Sequence, residues 1–498
     1  MSRTVGWMLS IAAFAVVVCV IVVAGMAVNA NRVTVAEAPQ VPGVQAPLRA
    51  AGASQELDDG SSGEPIADES ELAAQVAAVM DAAAKDPALG RLTAVVSSAR
   101  TGDVLWEQGS AEPSRPASSL KILTAAAALL ELDHDKTVAT RVVRYPGQDG
   151  VVLVGAGDPT LSVDGAGFYP GAASIAEIAE EVRASLGVAE GQPVPQDAGA
   201  STVYVDRSLF RDTFHSTWER DGIEDGYIAP VEPVMVDGAR LSLDREDARR
   251  TPEPAAGAGQ ALATAMGVAN VEVLAPEETA QSRFGGEPEV LAEVESAPLS
   301  ERVHQMMTRS DNVLAESLAR EVAVSRGLTP DFAGAAKAVA DVLAEHGLAL
   351  ENTGSSAANL ADSSGLSVDN RVTPAQLDRV LLAATGRHPG IDGAEGTGAA
   401  EGDGADDADE LTAKLRPLLD ALPVGGVSGT LAERYSGSDG AGWVRAKTGT
   451  LDGTSALAGY TVTKGGDVLT FVLLSNEASL LPARAAADAA ATGLHDIA

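Results

Sequence analysis

PASSLKILTAAAALLEL, residues 116 to 132, opens as a polar turn and continues as an alanine-rich apolar run with a lysine at its head. The chain holds seven lysines against 28 arginines, so a lysine in such a run asks for a reason. Lys121 lies three residues after Ser118. Residues three apart on a helix share a face, so amine and hydroxyl can meet. One reading is an ordinary helix-surface charge. The other is a base: burial, or a second cation nearby, would lower the lysine pKa and leave a neutral amine able to activate the serine. Ser-x-x-Lys is short enough to arise by chance in many chains, although no other lysine here has a serine three residues before it. The stretch needs support from elsewhere.

Two further stretches supply it. TRSDNVLAESLAREVA carries Ser310, Asp311 and Asn312 ahead of a helical pattern. All three are preferred N-cap types, so capping alone would explain them. The trio also projects a hydroxyl and a carboxamide from one helix start, where Ser310 can relay a proton and Asn312 can hold a substrate amide. VRAKTGTLDG carries Lys447, Thr448, Gly449 and Thr450. It reads as an edge strand whose lysine guards against aggregation, or as a binding strand. In the second reading Lys447 holds a carboxylate and Thr448 adds a hydrogen bond. Gly449 then leaves room for an extended ligand pairing along the strand edge. A second cation and a polar clamp would give Lys121 a reason to be neutral. The small alanines after it would let its helix sit deep between a sheet and a helical layer.

At 498 residues and 45% apolar content, the chain is expected to form two or three domains. SELAAQVAAVMDAAAKD, from Ser70, has helical spacing, and TAVVSSARTGDVLWEQG reads as a hairpin around Thr101-Gly102-Asp103. GWVRAKTGT, TSALAGYTVTK and DVLTFVLLSN read as three strands, the last two joined through Gly465-Gly466, before a final helix. Two strands from one end and three from the other predict one antiparallel sheet closed by both chain ends. Between them, residues 145–295 alternate short β-rich runs (VVLVGAG, STVYVD, LSLDRE, VEVLA) with Gly/Pro turns, predicting a mostly β inserted region. Residues 296–425 are strongly helical, in SERVHQMMTR, NVLAESLAREVAV, AGAAKAVADVLAEHG and TPAQLDRVLLAAT. The catalytic body is expected to be discontinuous, 67–144 with 296–498, around an accessory insert at 145–295.

Formal net charge is −35, and no cluster of Lys and Arg stands out. That argues against nucleic acid, whose phosphates need such clusters, and the acidity reads as a solvated surface. A single cysteine, Cys19, and scattered histidines (His134, His215, His304, His346, His388, His495) provide neither an internal disulfide nor metal-ligand spacing. No metal or other cofactor is expected. Residues 5 to 28, VGWMLSIAAFAVVVCVIVVAGMAV, form an apolar run of 24 residues, and about 20 span a bilayer. A cleaved leader has a shorter core of about 7–15 residues, which favours an uncleaved membrane anchor. Val28-Asn29-Ala30 nevertheless resembles a signal-peptide cleavage site, and either reading exports the rest of the chain. Residues 31–66 read as a flexible linker, and GIDGAEGTGAAEGDGADDADE at 390–410 as an acidic disordered loop.

Ser-x-x-Lys, Ser-Asp-Asn and Lys-Thr-Gly, in that order, form the motif set of penicillin-binding proteins and class A β-lactamases. The chain resembles the low-molecular-mass class C penicillin-binding proteins, the D-alanyl-D-alanine carboxypeptidase/endopeptidase family, over most of residues 70–498. Other stretches similar to that family are LVGAGDPTLS at 153–162, YVDRSLF at 204–210 and YIAPVEPVMVDG at 227–238. So are DSSGLSVDNRVTP at 362–374, LPVGGVSGTLAERY at 422–435 and AKTGTLDGTSALAGY at 446–460. The long separation between the first two motifs fits as well, since β-lactamases have a much shorter one. The apolar run with its linker and the acidic loop depart from the pattern.

The resemblance implies an α/β (α+β) serine transpeptidase/β-lactamase-like fold: an antiparallel sheet flanked by helices, a helical subdomain, and the insert as one or two accessory domains. It implies a serine D,D-peptidase acting on peptidoglycan stem peptides in the cell envelope, inhibited by β-lactams. Ser118 is expected to attack the carbonyl of the penultimate D-alanine with Lys121 as base, and Ser310 to return the proton to the leaving amine. Asn312 is expected to bind the substrate backbone. Lys447, with Thr448 and Thr450, is expected to anchor the terminal carboxylate. Backbone N–H groups of Ser118 and Thr450 would form the oxyanion hole. A penicillin sensor or wall scaffold without turnover is the alternative, and a β-lactamase a third.

Overall fold

The computed structural model describes residues 69–350, 358–387 and 403–498. The apolar run 5–28 with Cys19, the linker 31–66, His388 and residues 390–402 of the acidic stretch lie outside the described residues. Among the described residues no helix is long and apolar enough to cross a membrane.

Leu72, Val76 and Met80, spaced by four, form the buried stripe of α1 (Glu69–Ala83). β1 (Arg91–Ser98) is buried on both faces after its first residue, so its apolar and polar residues need not alternate. The chain turns through Gly102, at φ +83°, into β2 (Val104–Gln108). A short 3-10 turn, Ala117–Leu120, then leads into α2 (Lys121–Glu131). Every α2 residue from Lys121 to Leu130 is buried.

The inserted region follows as β3 (Ala139–Arg144), β4 (Val151–Val154), β5 (Asp158–Leu161), α3 (Ile175–Ser185), β6 (Thr202–Asp206), β7 (Val234–Val236), α4 (Pro254–Met266), β8 (Asn270–Val273) and β9 (Glu289–Glu295). Five strands form one sheet in the order β8-β6-β4-β3-β9, and β5 pairs with β7 in a small second one. β4, β6 and β8 run parallel. Parallel neighbours need crossovers, and α3 and α4 provide them. Ile175, Ile178 and Val182 of α3 and Ala258, Leu262 and Met266 of α4 pack with Val203 and Val205.

The insert is therefore mixed α/β and not mostly β. The overlooked helical signals were the Ser174/Glu177 capping box before IAEIAEEVRAS and Pro254 at the start of an alanine-rich helix. LSLDRE, read as a strand, forms none. Its alternation finds no partner strand, and Leu241 and Leu243 stand 61% and 47% exposed. The insert's sheet also starts earlier than residue 145, at Ala139.

The helical layer comprises α5 (Leu299–Arg309), α6 (Asn312–Ser325), α7 (Phe332–Glu345), α8 (Pro374–Thr385) and α9 (Asp403–Asp420). All five pack against α2, whose alanines let several helices approach at once. Residues 403–410, expected within the disordered acidic loop, instead form the first turns of α9. Buried Leu411, Leu415, Leu418 and Leu419 anchor that helix, and acidic residues suit its N-terminal end.

β10 (Arg445–Leu451), β11 (Thr454–Val462), β12 (Val468–Asn476) and α10 (Leu480–His495) complete the chain. The five terminal strands form one antiparallel sheet, β10-β11-β12-β1-β2, in which both chain ends meet through β1 and β12. Val76 and Met80 of α1 and Ala487, Ala491 and Leu494 of α10 cover one face, against Leu457, Phe471 and Leu473. α8 lies on the other, where the Ser97 and Thr470 hydroxyls donate to buried Asp378 at 2.6 and 2.7 Å. β10 is left at the sheet edge, beside the turn that precedes α2.

Candidate active site

That turn is tight. Ala117 holds a left-handed φ of +47°, and the Ser119 amide and hydroxyl both donate to the Pro116 carbonyl, at 3.2 and 2.7 Å. Ser118 is left half-buried at the N-terminal end of α2. One turn on, Lys121 is fully buried. Its Nζ donates to Asn312 Oδ1 at 2.6 Å and to the Ser364 carbonyl at 2.7 Å, and lies 3.0 Å from Ser118 Oγ. The Asn312 amide is oriented by its own Nδ2, which donates to the Tyr227 carbonyl at 2.9 Å. Burial pushes Lys121 down to about 8, with Asp362, Asp311 and Glu316 pulling the other way. A neutral amine has two N–H groups and one lone pair. Two of its three neighbours only accept, so in the neutral form the lone pair would face the Ser118 hydroxyl.

α5 closes on Ser310, whose left-handed φ of +59° turns the chain into α6. Asp311 caps α6, accepting from the Leu314 amide at 3.0 Å. Its other oxygen accepts from Tyr169 Oη at 2.7 Å and Arg240 Nη2 at 3.0 Å, with Arg250 Nη2 at 3.7 Å. Burial opposes this charge, yet Arg250 and Arg240 outweigh it and hold the carboxyl well below the usual carboxylate range. Three residues of the insert therefore fasten the corner that carries Ser310 and Asn312.

Lys447, on β10, is fully buried and donates from Nζ to Ser310 Oγ and to the Thr448 carbonyl, both at 2.8 Å. Burial, with Lys121 and Arg434 nearby, holds its amine well below the usual lysine range. Its amine thus faces Ser310, where the sequence suggested an open charge for a carboxylate. Thr448 Oγ1 donates to Thr430 Oγ1 at 2.8 Å, and exposed Thr450 accepts from Arg484 Nη2 at 3.2 Å. Gly449 serves packing: a Cβ there would lie 2.7 Å from the Pro116 carbonyl oxygen and 3.1 Å from Ala117 Cβ. Its bare backbone lets the strand close on the nucleophile turn.

Ser118, Lys121 and Asn312 thus form one hydrogen-bonded chain, and Ser310 and Lys447 another. The segment 362–370, absent from the three motifs, completes the site. Glu316, one turn after Asn312 on α6, accepts through Oε1 from the Ser363 and Ser364 amides at 2.9 and 2.7 Å. This presents the Ser364 carbonyl to Lys121. Burial, helped by Asp362, pushes Glu316 up to about 7. Asp362 accepts from the amides of Gly365 and Ser367 and from Trp218 Nε1. Gly365, at φ +84°, presses on the nucleophile turn, where a Cβ would lie 2.0 Å from the Ala117 carbonyl oxygen. A sequence signal existed for Glu316, four residues after Asn312 and so on the same helix face. None existed for the Ser364 and Tyr227 carbonyls, since any residue carries one.

Residues 76–250, 240–392 and 407–494 match the D-Ala-D-Ala carboxypeptidase 3 (S13) family. The chain is 43% identical to Carboxypeptidase DacB of Mycolicibacterium smegmatis, over 81% of this chain and 80% of that one. It is 30% identical to the D-alanyl-D-alanine carboxypeptidase of Actinomadura sp. (strain R39), over 80% of each. Penicillin binding protein 4 (dacB) from Haemophilus influenzae shares the fold, with a TM-score of 0.62 at 20% identity over 84% of this chain and 98% of that one. A complex of that protein with a β-lactam gives a TM-score of 0.57. The chain belongs to the D-Ala-D-Ala carboxypeptidase 3 (S13) family and is a serine hydrolase of that family.

Proposed function

We propose that the chain cleaves the D-Ala-D-Ala bond of peptidoglycan stem peptides, and D,D-cross-links, through an acyl-enzyme on Ser118. The observation that carries this reading is the environment of Lys121, buried between two acceptors and 3.0 Å from the Ser118 hydroxyl. Lys121 takes the Ser118 proton as the oxygen attacks the carbonyl of the penultimate D-alanine. The backbone amides of Ser118 and Thr450 receive the oxyanion, a contribution of about 3 kcal/mol per donor. The C–N bond then breaks, and the leaving amine takes a proton from Ser310, which Lys447 replenishes across its 2.8 Å contact. Asn312 orients the substrate backbone, while Thr448 and Thr450 receive the terminal carboxylate in the field of Lys447. Once Lys121 has released the Ser118 proton to solvent and Lys447 has recovered one from it, Lys121 takes a proton from a water whose oxygen attacks the ester, and returns it to Ser118 Oγ as the C–O bond breaks. A β-lactam, such as the Haemophilus influenzae protein binds, would acylate Ser118 in the same way.

Such a substrate lies outside the cytoplasm, and the apolar run 5–28 supports export, with the chain anchored there or released by cleavage near Ala30. The experiment is D-alanine release from a pentapeptide stem beside labelling by fluorescent penicillin, in wild type and Ser118→Ala. Wild type should turn over many times and label; Ser118→Ala should do neither. Covalent labelling that persists in Ser118→Ala would sink the assignment of the nucleophile. Labelling of wild type without turnover would point to a sensor or scaffold.

A further inference from the structure

Two segments fastened to the last turn of α5, beside Ser310, hold large apolar side chains out to solvent. The first is the turn 424–430. Gly429 packs so closely on Thr308 that a Cβ there would lie 2.3 Å from its carbonyl oxygen. Thr430 Oγ1 accepts from Thr448 Oγ1 at 2.8 Å. The turn thus joins α5 to β10, the elements that lead to Ser310 and carry Lys447. It is also braced internally: the Val427 and Ser428 amides both donate to the Val424 carbonyl at 3.0 Å, and Ser428 Oγ accepts from the Val424 amide at 3.1 Å. Left-handed Gly426, at φ +69°, then sets Val427 at the tip, 61% exposed.

The second segment is the insert's loop 240–250. Arg240 and Arg250 pin its two ends to Asp311, and Glu246 pairs with Arg309 at 2.9 Å. Leu241 and Leu243 stand exposed on it. Single exposed apolar residues are ordinary on any surface. Here two braced segments, from distant parts of the chain, bring theirs to one corner. In the proposed reaction Ser310 meets the leaving amine, so this corner lies where the leaving group departs. A departing D-alanine offers such a rim only a methyl. In a D,D-cross-link the amine belongs to the diamino acid of a neighbouring stem, whose methylene chain runs on to a second peptide.

We propose that Val427, Leu241 and Leu243 are specificity-determining residues that receive the leaving strand of a D,D-cross-link and make the cross-link, not the pentapeptide terminus, the preferred substrate. This rests on the peptidase reading. The amide between the D-alanine carbonyl and the neighbouring side-chain amine breaks. One stem leaves as the free amine, and water releases the other from Ser118 as the free acid.

The test measures kcat/KM on two substrates of one sequence, both built on meso-diaminopimelate: the pentapeptide, and the D,D-cross-linked dimer of the tetrapeptide. In that dimer the carbon bearing the leaving amine carries a carboxylate, as D-alanine does, so the leaving residues differ in the side chain. Wild type should prefer the dimer. Val427→Ser, and Leu241→Ser combined with Leu243→Ser, should each lose about fourfold or more of that preference, the span expected for one buried methylene. Val427→Leu should keep it. A wild type without the preference, or equal losses on both substrates, would overturn the proposal. Calorimetric binding of the same two peptides to Ser118→Ala, with and without Val427→Ser, reads the rim without turnover. The dimer should bind tighter and Val427→Ser should narrow the gap; affinities that do not differ would also overturn the proposal. A wild type that labels with penicillin yet cleaves neither peptide overturns the peptidase reading instead, and the calorimetric pair then decides the role of the rim.

Discussion

Lys447 Nζ stands 2.8 Å from Ser310 Oγ, repeating the 3.0 Å approach of Lys121 Nζ to Ser118 Oγ. Two lysine–hydroxyl pairs in one site suit the proposed reaction, which takes a proton from a nucleophile and returns one to a leaving group. They differ in what else holds the amine. Lys121 faces an amide oxygen and a carbonyl, while Lys447 faces a single carbonyl.

The Lys121 arrangement fixes a pH dependence. Its folded pKa is lowered to about 8, and the neutral form is the base. Acylation of Ser118 by benzylpenicillin should therefore rise by about tenfold per pH unit toward 8 and level off above it. Lys121→Ala should remain folded, by circular dichroism and thermal melting, and acylate at least ~10²-fold more slowly, the usual loss of a general base. A pH-independent wild-type rate between 6 and 8.5, or normal acylation in Lys121→Ala, would exclude Lys121 as the base.

Glu316 tunes that limb. Its negative charge raises the Lys121 pKa, and with its own carboxyl raised to about 7 it is ionised over the upper part of the limb, where Lys121 titrates. Glu316→Gln keeps an acceptor oxygen for the Ser363 and Ser364 amides but removes the charge. The acid limb of its acylation profile should move to lower pH, with the plateau near the wild-type value. A limb that stays in place shows that the carboxylate acts only through its hydrogen bonds.

Asp311 predicts a cost of a different kind. Asp311→Asn leaves Arg240 and Arg250 buried without their shared carboxylate. Breaking a buried ion pair from one side typically costs about 3–5 kcal/mol. Urea unfolding should show a loss of that order, and penicillin acylation should fall with it because Ser310 and Asn312 flank the broken corner. A variant as stable as wild type would mean that the insert does not fasten the motif.

The five strands of the terminal sheet and the helices of the layer were legible because their patterns are local. TAVVSS and DVLTFVLLSN are long β-branched and apolar runs, and NVLAESLAREVAV keeps one helical period. The motif residues were legible for another reason: Ser118, Lys121, Ser310, Asn312 and Lys447 carry unusual chemistry at short spacing. The insert was misjudged where alternation in LSLDRE met no partner strand, and where alanines and glycines in PAAGAGQALATAM hid a helix. The buttress of the site was not legible at all. Tyr169, Arg240 and Arg250 reach Asp311 across 142, 71 and 61 residues, and no local pattern marks a side chain whose partner is that distant. The cation by Thr450 was hidden likewise, since Arg484 reads as one polar position on an alanine-rich helix.

Asp378 links the core to pH. It is fully buried under the sheet, and burial raises its carboxyl to about 6, with the Ser97 and Thr470 hydroxyls pulling it down. The folded pKa thus lies above the ordinary 3.8. A group raised in this way contributes stability that is fully present below about 4 and is lost as pH rises through about 6. At pH 8 the buried carboxylate is charged, and the shift corresponds to a penalty on the order of 3 kcal/mol. Asp378→Asn keeps the shape and lets the amide accept from one hydroxyl while donating to the other. Its melting temperature should exceed that of wild type at pH 8, and the gap should narrow steadily toward pH 5. A gap that is equal at both pH values would show that the carboxyl is not charged in the folded protein at pH 8, or that its hydrogen bonds offset the charge completely.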